Sequence, residues 1–522
     1  MVRNNVRCER RTHSHKDFTM TKPNRRNFLK AATIASAGYL VAEGNAQDQP
    51  AGSQSSGEKL NVACIGIGGK GDSDANHAAK FGNIVAICDV DKSRLEGKGK
   101  KEGFQKAKQY TDFRELLEKH KNEIDIVTVS GPDHMHAAAT LLAMRLGKSV
   151  YTQKPLTRTI YEARKLAEVA KETGVCTQMG NQGTALNTSR TAIAQMKAGV
   201  IGTVKEVVVW SNRPIWSQKP GRRETMATFA ENGYKKAPNR QAADKLIWAK
   251  YKEVQQGLEN LDWKLWISTA PYRDFFPGLY HSFQWRGWWD FGSGALGDMA
   301  CHQVTVPFAA AGLKDPTWVR AKSTGHDFDS FPASSIIEFE FPANAERGKI
   351  PFWWYDRKGN KPPQDIYAPY GIEKLADSGV LIIGDKGAFY SSDDYCGRYE
   401  FFAKGGTKIE PLPNVEVEFA ENKGDFDTNN MYELFRAVKA KDPKICKSNF
   451  IDRAGPLTET ILLGNLAVWA AAEGGANGSI GNWGEKIEWD AKNLQVTNLS
   501  SLKTPGVQEL VKPVYSDGYR LD

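Results

Sequence analysis

The chain has 522 residues, of which 40% are hydrophobic, 10% aromatic and 25% charged. That length and mix fit a globular protein of two or three units and exclude collagen-like, coiled-coil and fully disordered classes. The formal charge is +9, but residues 1–46 hold nine Lys/Arg against three acids, which leaves only +3 on the rest of the chain; so small a surplus gives no electrostatic case for a nucleic-acid or anionic-membrane partner.

The first 46 residues read as a targeting segment. Asn24-Arg25-Arg26-Asn27-Phe28-Leu29-Lys30 is a paired-arginine region, Ala31 to Ala42 is weakly apolar, and Gly44-Asn45-Ala46 offers a small-residue cleavage site. This pattern is similar to a twin-arginine export signal. It predicts passage through the twin-arginine machinery after folding, cleavage near Ala46 and a periplasmic location. Met20, just upstream, is a second candidate start. No apolar run reaches the roughly 18–20 residues that span a bilayer, so no membrane span is expected in the mature form. Gln47 to Glu58 is a polar tether. Beyond Cys8, six cysteines remain, and Cys64, Cys88 and Cys176 sit in apolar strand-like runs. They read as buried thiols rather than a disulfide framework, and no Cys/His cluster has metal-ligand spacing.

From Leu60 the pattern alternates. LNVACIG is a continuous apolar strand running into Gly66-Ile67-Gly68-Gly69-Lys70-Gly71 and a helix to about Lys80. Strand NIVAICD (83–89), a Lys-rich helical stretch, a short helix over 112–120 and a third strand, IDIVTVS (124–130), follow. Next come helix 133–146, strand SVYTQ (149–153), helix 157–173 and strand VCTQMG (175–180). Strands buried on both faces and alternating with helices predict an α/β fold with a Rossmann-type, doubly wound parallel sheet over 59–181. Residues 182–522 read as a C-terminal α+β domain. Its predicted elements are helix 188–197, strands 204–210, 335–341 and 380–390, and helices 431–439 and 457–472, which fit an open-faced, mostly antiparallel sheet. Residues 217–259 are polar and poorly periodic, an insertion expected to cap the cleft or an oligomer edge.

The glycine run carries chemistry because it follows a buried strand, opens a helix and is answered by an acid at the end of the next strand. Gly66 permits the tight turn, Gly68 lets backbone approach a pyrophosphate, Gly71 allows close helix–strand packing, and the helix N-terminus faces the anion. Asp89 suits a ribose diol and would repel a 2′-phosphate, which favours NAD over NADP; Lys92 and Arg94 lie near enough to keep NADP open. Two further segments, Gly131-Pro132-Asp133-His134-Met135-His136 and Gln153-Lys154-Pro155, follow the carboxyl ends of parallel strands, where ligands bind in such sheets. Far downstream, WRGWWDFGSGALGDMACH (285–302) leads a glycine-rich turn into a helix that carries Asp298 and His302 at i, i+4, on one face.

These residues resemble the glucose–fructose oxidoreductase and inositol dehydrogenase (Gfo/Idh/MocA) family. The resemblance runs from about Lys59 to the end. It rests on the glycine motif, Asp89, Pro132-Asp133-x-x-His136, Lys154-Pro155, Gly180-Asn181-Gln182 and Asp298-x-x-x-His302; the 285–302 run and AGPLTETILLGNLA (454–467) look like its secreted bacterial branch. The family transfers a hydride between nicotinamide and a sugar or polyol CH–OH carbon. The resemblance implies Lys154, Asp298 and His302 as catalytic residues. It implies a cofactor contacted by Gly66, Gly68, Gly69, Gly71, Asp89 and Arg94 on one side and Pro132, Asp133, His136, Gln153, Lys154 and Asn181 on the other. His302 is expected to take the hydroxyl proton with Asp298 orienting it, and Lys154 to stabilise developing alkoxide. Arg286, Trp285 and Trp288 are candidate substrate binders, although Trp285, Trp288 and Trp289 suit core packing equally well. The family's common Glu-Lys-Pro is here Gln153-Lys154-Pro155, which deprives the lysine of one charged neighbour. Export adds an expectation: with no NAD pool outside the cytoplasm, the cofactor stays bound and is recycled. It does so either by coupling two sugars or by a redox-neutral route that cleaves a glycoside; a non-catalytic sugar-binding protein is the other reading. A homo-oligomer is expected.

Overall fold

A computed structural model describes residues 59–216, 224–516, 519 and 521. The export signal and tether lie outside the described residues, as do positions 217–223 of the predicted insertion.

Six strands form the first sheet: β1 (Asn61–Ile65), β2 (Asn83–Cys88), β3 (Lys108–Tyr110), β4 (Ile126–Val129), β5 (Ser149–Gln153) and β6 (Thr177–Gly180). Their order is β3-β2-β1-β4-β5-β6 and every neighbouring pair is parallel. The order reverses between β1 and β4, and a sheet of this kind opens a ligand crevice at that switch point, beyond the carboxyl ends of its strands. β4 and β5 are buried along their whole length, because helices cover both faces. The helices begin where the sequence supplies caps: Asp91 and Asp112 accept from the second amide of their helices, and Thr159 with Glu162 forms a reciprocal capping box.

The second sheet has nine strands: β7 (Val204–Ser211), β8 (Trp318–Ser323), β9 (Ser335–Phe341), β10 (Ile350–Asp356), β11 (Gly379–Gly384), β12 (Ala388–Ser391), β13 (Tyr399–Phe402), β14 (Ile487–Asp490) and β15 (Gln495–Val496). Their order is β13-β12-β11-β7-β10-β9-β8-β14-β15. β7 and β10 run parallel and the other neighbours antiparallel. Helix Gly455–Trp469 lies at the seam, packed on helix Ile160–Thr173 of the first lobe and on β8, β9 and helix Gly294–Gln303 of the second. Leu457, Ile461, Leu462, Leu463 and Leu466 are all buried, and a helix apolar on every side is one enclosed on every side.

The structure corrects three sequence readings. The single strand predicted over 380–390 is a hairpin, β11–β12, because Asp385-Lys386-Gly387 turns the chain inside an apolar run. A short sixth strand, β3, pairs with β2 at the sheet's edge. The aperiodic insertion holds two helices, Met226–Lys236 and Arg240–Glu259, packed on each other and capped by Thr225 and Asn239. Only Ala243 and Val254 are buried in that pair, too few to leave a periodic apolar stripe.

Gly66 takes φ +75°, and a Cβ on Gly71 would lie 2.0 Å from the Gly66 carbonyl oxygen. Gly71→Ala must therefore displace backbone, and we expect it to lower unfolding free energy by at least ~2 kcal/mol. Gly97→Ala, in an exposed helix with open space around it, should stabilise by up to ~1 kcal/mol. Thermal denaturation of the two variants checks the contrast.

Candidate active site

A cavity of about 440 Å³ opens at the switch point. Its walls include Gly66, Gly68, Gly69, Asp89 and Arg94 from the first lobe and Trp285 and Arg286 from the second. Asp89 is buried at the end of β2, and its two oxygens accept from the amides of Ile67 and Asp91 at 3.0 Å each. Burial pushes its carboxyl up from the usual range, while the Arg94 guanidinium, 3.8 Å away, works against that. Arg94 also lies over the glycine loop: a Cβ on Gly68 would meet its Nη1 at 2.2 Å. Bare backbone, a helix N-terminus, a guanidinium and a carboxylate thus line one cleft, a set of donors and an acceptor that fits a dinucleotide.

Pro132 lines the same cavity, but its neighbours in the motif are tied into the protein. Asp133 is buried and accepts from Ser293 Oγ at 2.6 Å. Burial pushes its carboxyl up to about 7, with the Ser293 hydroxyl pulling the other way. His136 has one ring nitrogen 2.9 Å from the Pro155 carbonyl oxygen and the other 2.8 Å from that of Gly131, so it clamps the loops after β4 and β5. Gln153 is also engaged: its Nε2 donates to Asp74 Oδ2 at 2.9 Å and its Oε1 accepts from the Lys154 amide at 3.3 Å. Asp74, buried in the helix after the glycine loop, is paired with Lys70 at 3.0 Å and accepts from Ser130 Oγ at 2.7 Å.

Lys154 projects from the end of β5 and meets the helix Gly294–Gln303. Its Nζ donates to Asp298 Oδ1 at 3.0 Å and to the Asp298 carbonyl at 2.7 Å. Asp298 is thus the charged neighbour that Gln153 does not supply. The same carboxylate receives Arg286 Nε at 3.6 Å and Arg213 Nε at 3.9 Å. Burial would raise its pKa, but Lys154 and then Arg286 override burial and hold it below the usual carboxylate range. The helix is set by small residues: a Cβ on Gly297 would strike Ser293. Its far end is pinned by Gln303, whose Nε2 donates to the Trp210 carbonyl on β7 at 2.7 Å.

His302 follows one turn after Asp298 and is 4% exposed. Its partner is Asn181, not Asp298, which corrects the expected orienting role: Nδ1 lies 3.0 Å from Asn181 Oδ1. The Tyr395 ring stands edge-on to the imidazole, with centroids 4.9 Å apart. Burial drives the His302 pKa well below its ordinary value, Lys154 adds to this, and Asp298 opposes it. The ring is therefore neutral at neutral pH. Asn181 itself is fully buried, with its side chain on the histidine.

Of the substrate candidates, Trp285 lines the cavity, and the Arg286 guanidinium lies over its ring at 4.2 Å. Trp288 does not line it. Its indole donates to the Leu279 carbonyl at 3.0 Å, and it packs edge-on to Tyr280 in the aromatic cluster beneath. Sequence reasoning missed Arg213 and Tyr395. Each sits on an irregular loop with no motif, and only the fold brings it to the site. The described residues hold no group of three or more metal-type ligands.

Two family models match the chain: "Oxidoreductase family, NAD-binding Rossmann fold" over residues 60–181 and "Oxidoreductase family, C-terminal alpha/beta domain" over residues 242–320. A glycosyl hydrolase family 109 protein of Shewanella pealeana is 31% identical over 174 residues, which is 29% of this chain and 38% of that protein. An alpha-N-acetylgalactosaminidase of Shewanella oneidensis is 30% identical over 174 residues, 29% of this chain and 37% of the relative. The matched region thus spans under two-fifths of these curated relatives. Among solved structures, the WlbA dehydrogenase of Bordetella pertussis, in complex with NADH and UDP-GlcNAcA, superposes with a TM-score of 0.50 at 13% identity, over 83% of this chain and 99% of that one. An inositol dehydrogenase homolog of Azotobacter vinelandii, complexed with NADH and myo-inositol, gives 0.50 at 17% identity, over 83% and 98%. At such identities the likeness is one of fold.

The Gln153–Asp74 contact generates a prediction. Gln153→Glu would set a second carboxylate against a buried one at 2.9 Å, and like charges so placed cannot both ionise without penalty. We expect a loss of roughly 2–4 kcal/mol at pH 7. The loss should shrink as pH falls and one of the two takes up a proton, and Asp74→Asn in the same chain should relieve it. Denaturant unfolding of the single and double variants across pH 4–8 measures this.

Proposed function

We propose, from the premise that the chain belongs to the Gfo/Idh/MocA oxidoreductase family, that it oxidises a CH–OH carbon of a sugar or polyol, using tightly held NAD. The observation that carries this reading is the convergence of Lys154 from β5 and Asp298 from the opposite lobe at 3.0 Å. His302 lies one turn further on, and Arg286 joins the same carboxylate to the cavity wall.

Gly66, Gly68 and Gly69 would hold the pyrophosphate, and Asp89 and Arg94 the adenosine end; the Asp89 carboxylate favours NAD. When bound, the nicotinamide supplies the acceptor and donor of a hydride. The chain's own part is proton management and charge. His302, neutral and buried, takes the hydroxyl proton. The Lys154 ammonium, held in place by Asp298, stabilises negative charge developing on the substrate oxygen. Trp285 offers an apolar face to a sugar ring.

The names of the curated relatives favour a second reading on the same residues: transient oxidation of a glycoside, cleavage next to the acidified carbon, and return of the hydride. The paired-arginine segment supports either redox-neutral cycling or sugar-to-sugar coupling, since an exported enzyme folded around NAD has no pool with which to exchange it.

Four outcomes are expected. A panel of monosaccharides and glycosides should contain members that change nicotinamide absorbance in the protein; product release without net absorbance change selects the cleaving route, and no response to any sugar or glycoside refutes both. Lys154→Ala and His302→Ala should each lower kcat by ~10²–10⁴ while remaining folded. Because His302 has its pKa held below 6.5, the free base persists as pH falls, so kcat/KM should stay level through pH 6.5 and decline only at lower pH. Extensive dialysis should leave NAD in the protein, measured by release on denaturation; complete loss argues against internal recycling.

A further inference from the structure

Asn181 has no place on the cavity wall, yet its side chain is fully buried and its polar atoms are all engaged. Its Nδ2 lies 2.7 Å from the Cys301 carbonyl oxygen and 2.8 Å from Thr305 Oγ1. The Thr305 hydroxyl donates its one proton to the same Cys301 carbonyl at 2.8 Å, so toward Asn181 it can only accept. Both neighbours of this atom are acceptors. The amide must therefore present its NH₂ to them, and a flipped amide would set oxygen against oxygen in a buried site.

That fixes the other atom. Asn181 Oδ1, 3.0 Å from His302 Nδ1, can only accept, so Nδ1 must carry a proton. In a neutral imidazole the second nitrogen, Nε2, is then the one with the free lone pair. Tyr395, edge-on to the ring, and the surrounding burial oppose rotation to another arrangement. We propose that Asn181 is a positioning residue that locks His302 in the Nδ1–H tautomer and so makes Nε2 the proton acceptor. The proposal rests on the reading of His302 as base and adds which atom of it acts and what selects that atom. Free histidine divides between two tautomers; holding one costs nothing further at the moment of reaction, and an orienting hydrogen bond of this kind raises ring basicity against the depressing effect of burial.

The test begins without a substrate. The full chain, selectively ¹⁵N-labelled at histidine, is recorded in long-range ¹H–¹⁵N correlation spectra at neutral pH, and the His302 ring is assigned as the one missing from His302→Gln. A protonated Nδ1 and an unprotonated Nε2 support the proposal; an Nε2–H ring overturns it whatever the enzyme catalyses. Asn181→Ala should release the ring to a tautomer mixture in the same spectra. With the most active sugar of the panel it should lower kcat ~10-fold or more, with KM within about two-fold. Unchanged kcat alongside a released tautomer overturns the mechanistic half. Should the alanine variant not fold, Asn181→Asp is read instead: in its protonated form it can still donate to Cys301 and accept from Nδ1, so it should keep the tautomer, and an Nε2–H ring in it would overturn the proposal. Absence of turnover with every sugar, together with an Nδ1–H ring, refutes the oxidoreductase reading and leaves the tautomer assignment standing.

Discussion

A carboxylate taken out of water must be paired or it will not stay ionised, and the candidate site is organised around one that is paired three times over. Asp298 receives Lys154 at 3.0 Å from the first lobe, Arg286 at 3.6 Å from the tryptophan-rich turn and Arg213 at 3.9 Å from the loop after β7. These cations come from separate segments, so the pairing is also a tether that joins the carboxyl end of the parallel sheet to the second lobe. Helix Gly455–Trp469 supplies the apolar counterpart, packing against both lobes behind the polar contacts.

Below the glycine loop a second polar system does for the first lobe what Asp298 does for the seam. Lys70, Asp74, Gln153 and Ser130 link the helix after the glycine loop to the end of β5, just before Lys154, and Lys70 continues to Asp427 on the second lobe at 2.7 Å. The amide at position 153 has a physical reason here. The buried acid of this network stands on the helix, at Asp74, and a neutral partner that can donate to it is the stable choice. Lys154 takes its charged partner from the other lobe instead, at Asp298.

The parallel sheet, the glycine loop, Asp89 and the shared helix face of Asp298 and His302 were legible because local pattern carries them: a buried strand, a turn that demands glycine, an acid at the next strand's end, an i, i+4 pair on one helix. Contacts between distant segments were not. Asn181 and His302 are separated by 121 positions, and nothing in Gly180-Asn181-Gln182 distinguishes an amide that touches a cofactor from one that faces a histidine. Trp285 and Trp288 stand three residues apart in one aromatic run and are both buried in the same cluster, yet only Trp285 also reaches the cavity; composition is the same and only the chain's path decides. The hairpin β11–β12 and the two helices after position 224 were misread for a related reason, since a tight polar turn and a nearly unburied helix pair leave little periodicity.

The pKa values within the site fit one another chemically. A histidine whose basicity is cut by burial and by a nearby ammonium is a weak base for an ordinary alcohol, and proton transfer to it is favourable only if the hydroxyl is made more acidic by the same surroundings. Lys154 depresses His302, and on the proposed reading the same ammonium, set against a substrate oxygen, would stabilise the alkoxide. Removing it would restore basicity to the ring while, on the proposed reading, withdrawing the charge that makes the proton available. Asp298 sets the balance, because it offsets part of the ammonium's field at His302 while fixing where the ammonium points. On the proposed mechanism the Lys154–Asp298 pair and the Asn181–His302 contact would be complementary, one making a proton ready to leave and the other fixing the lone pair that receives it.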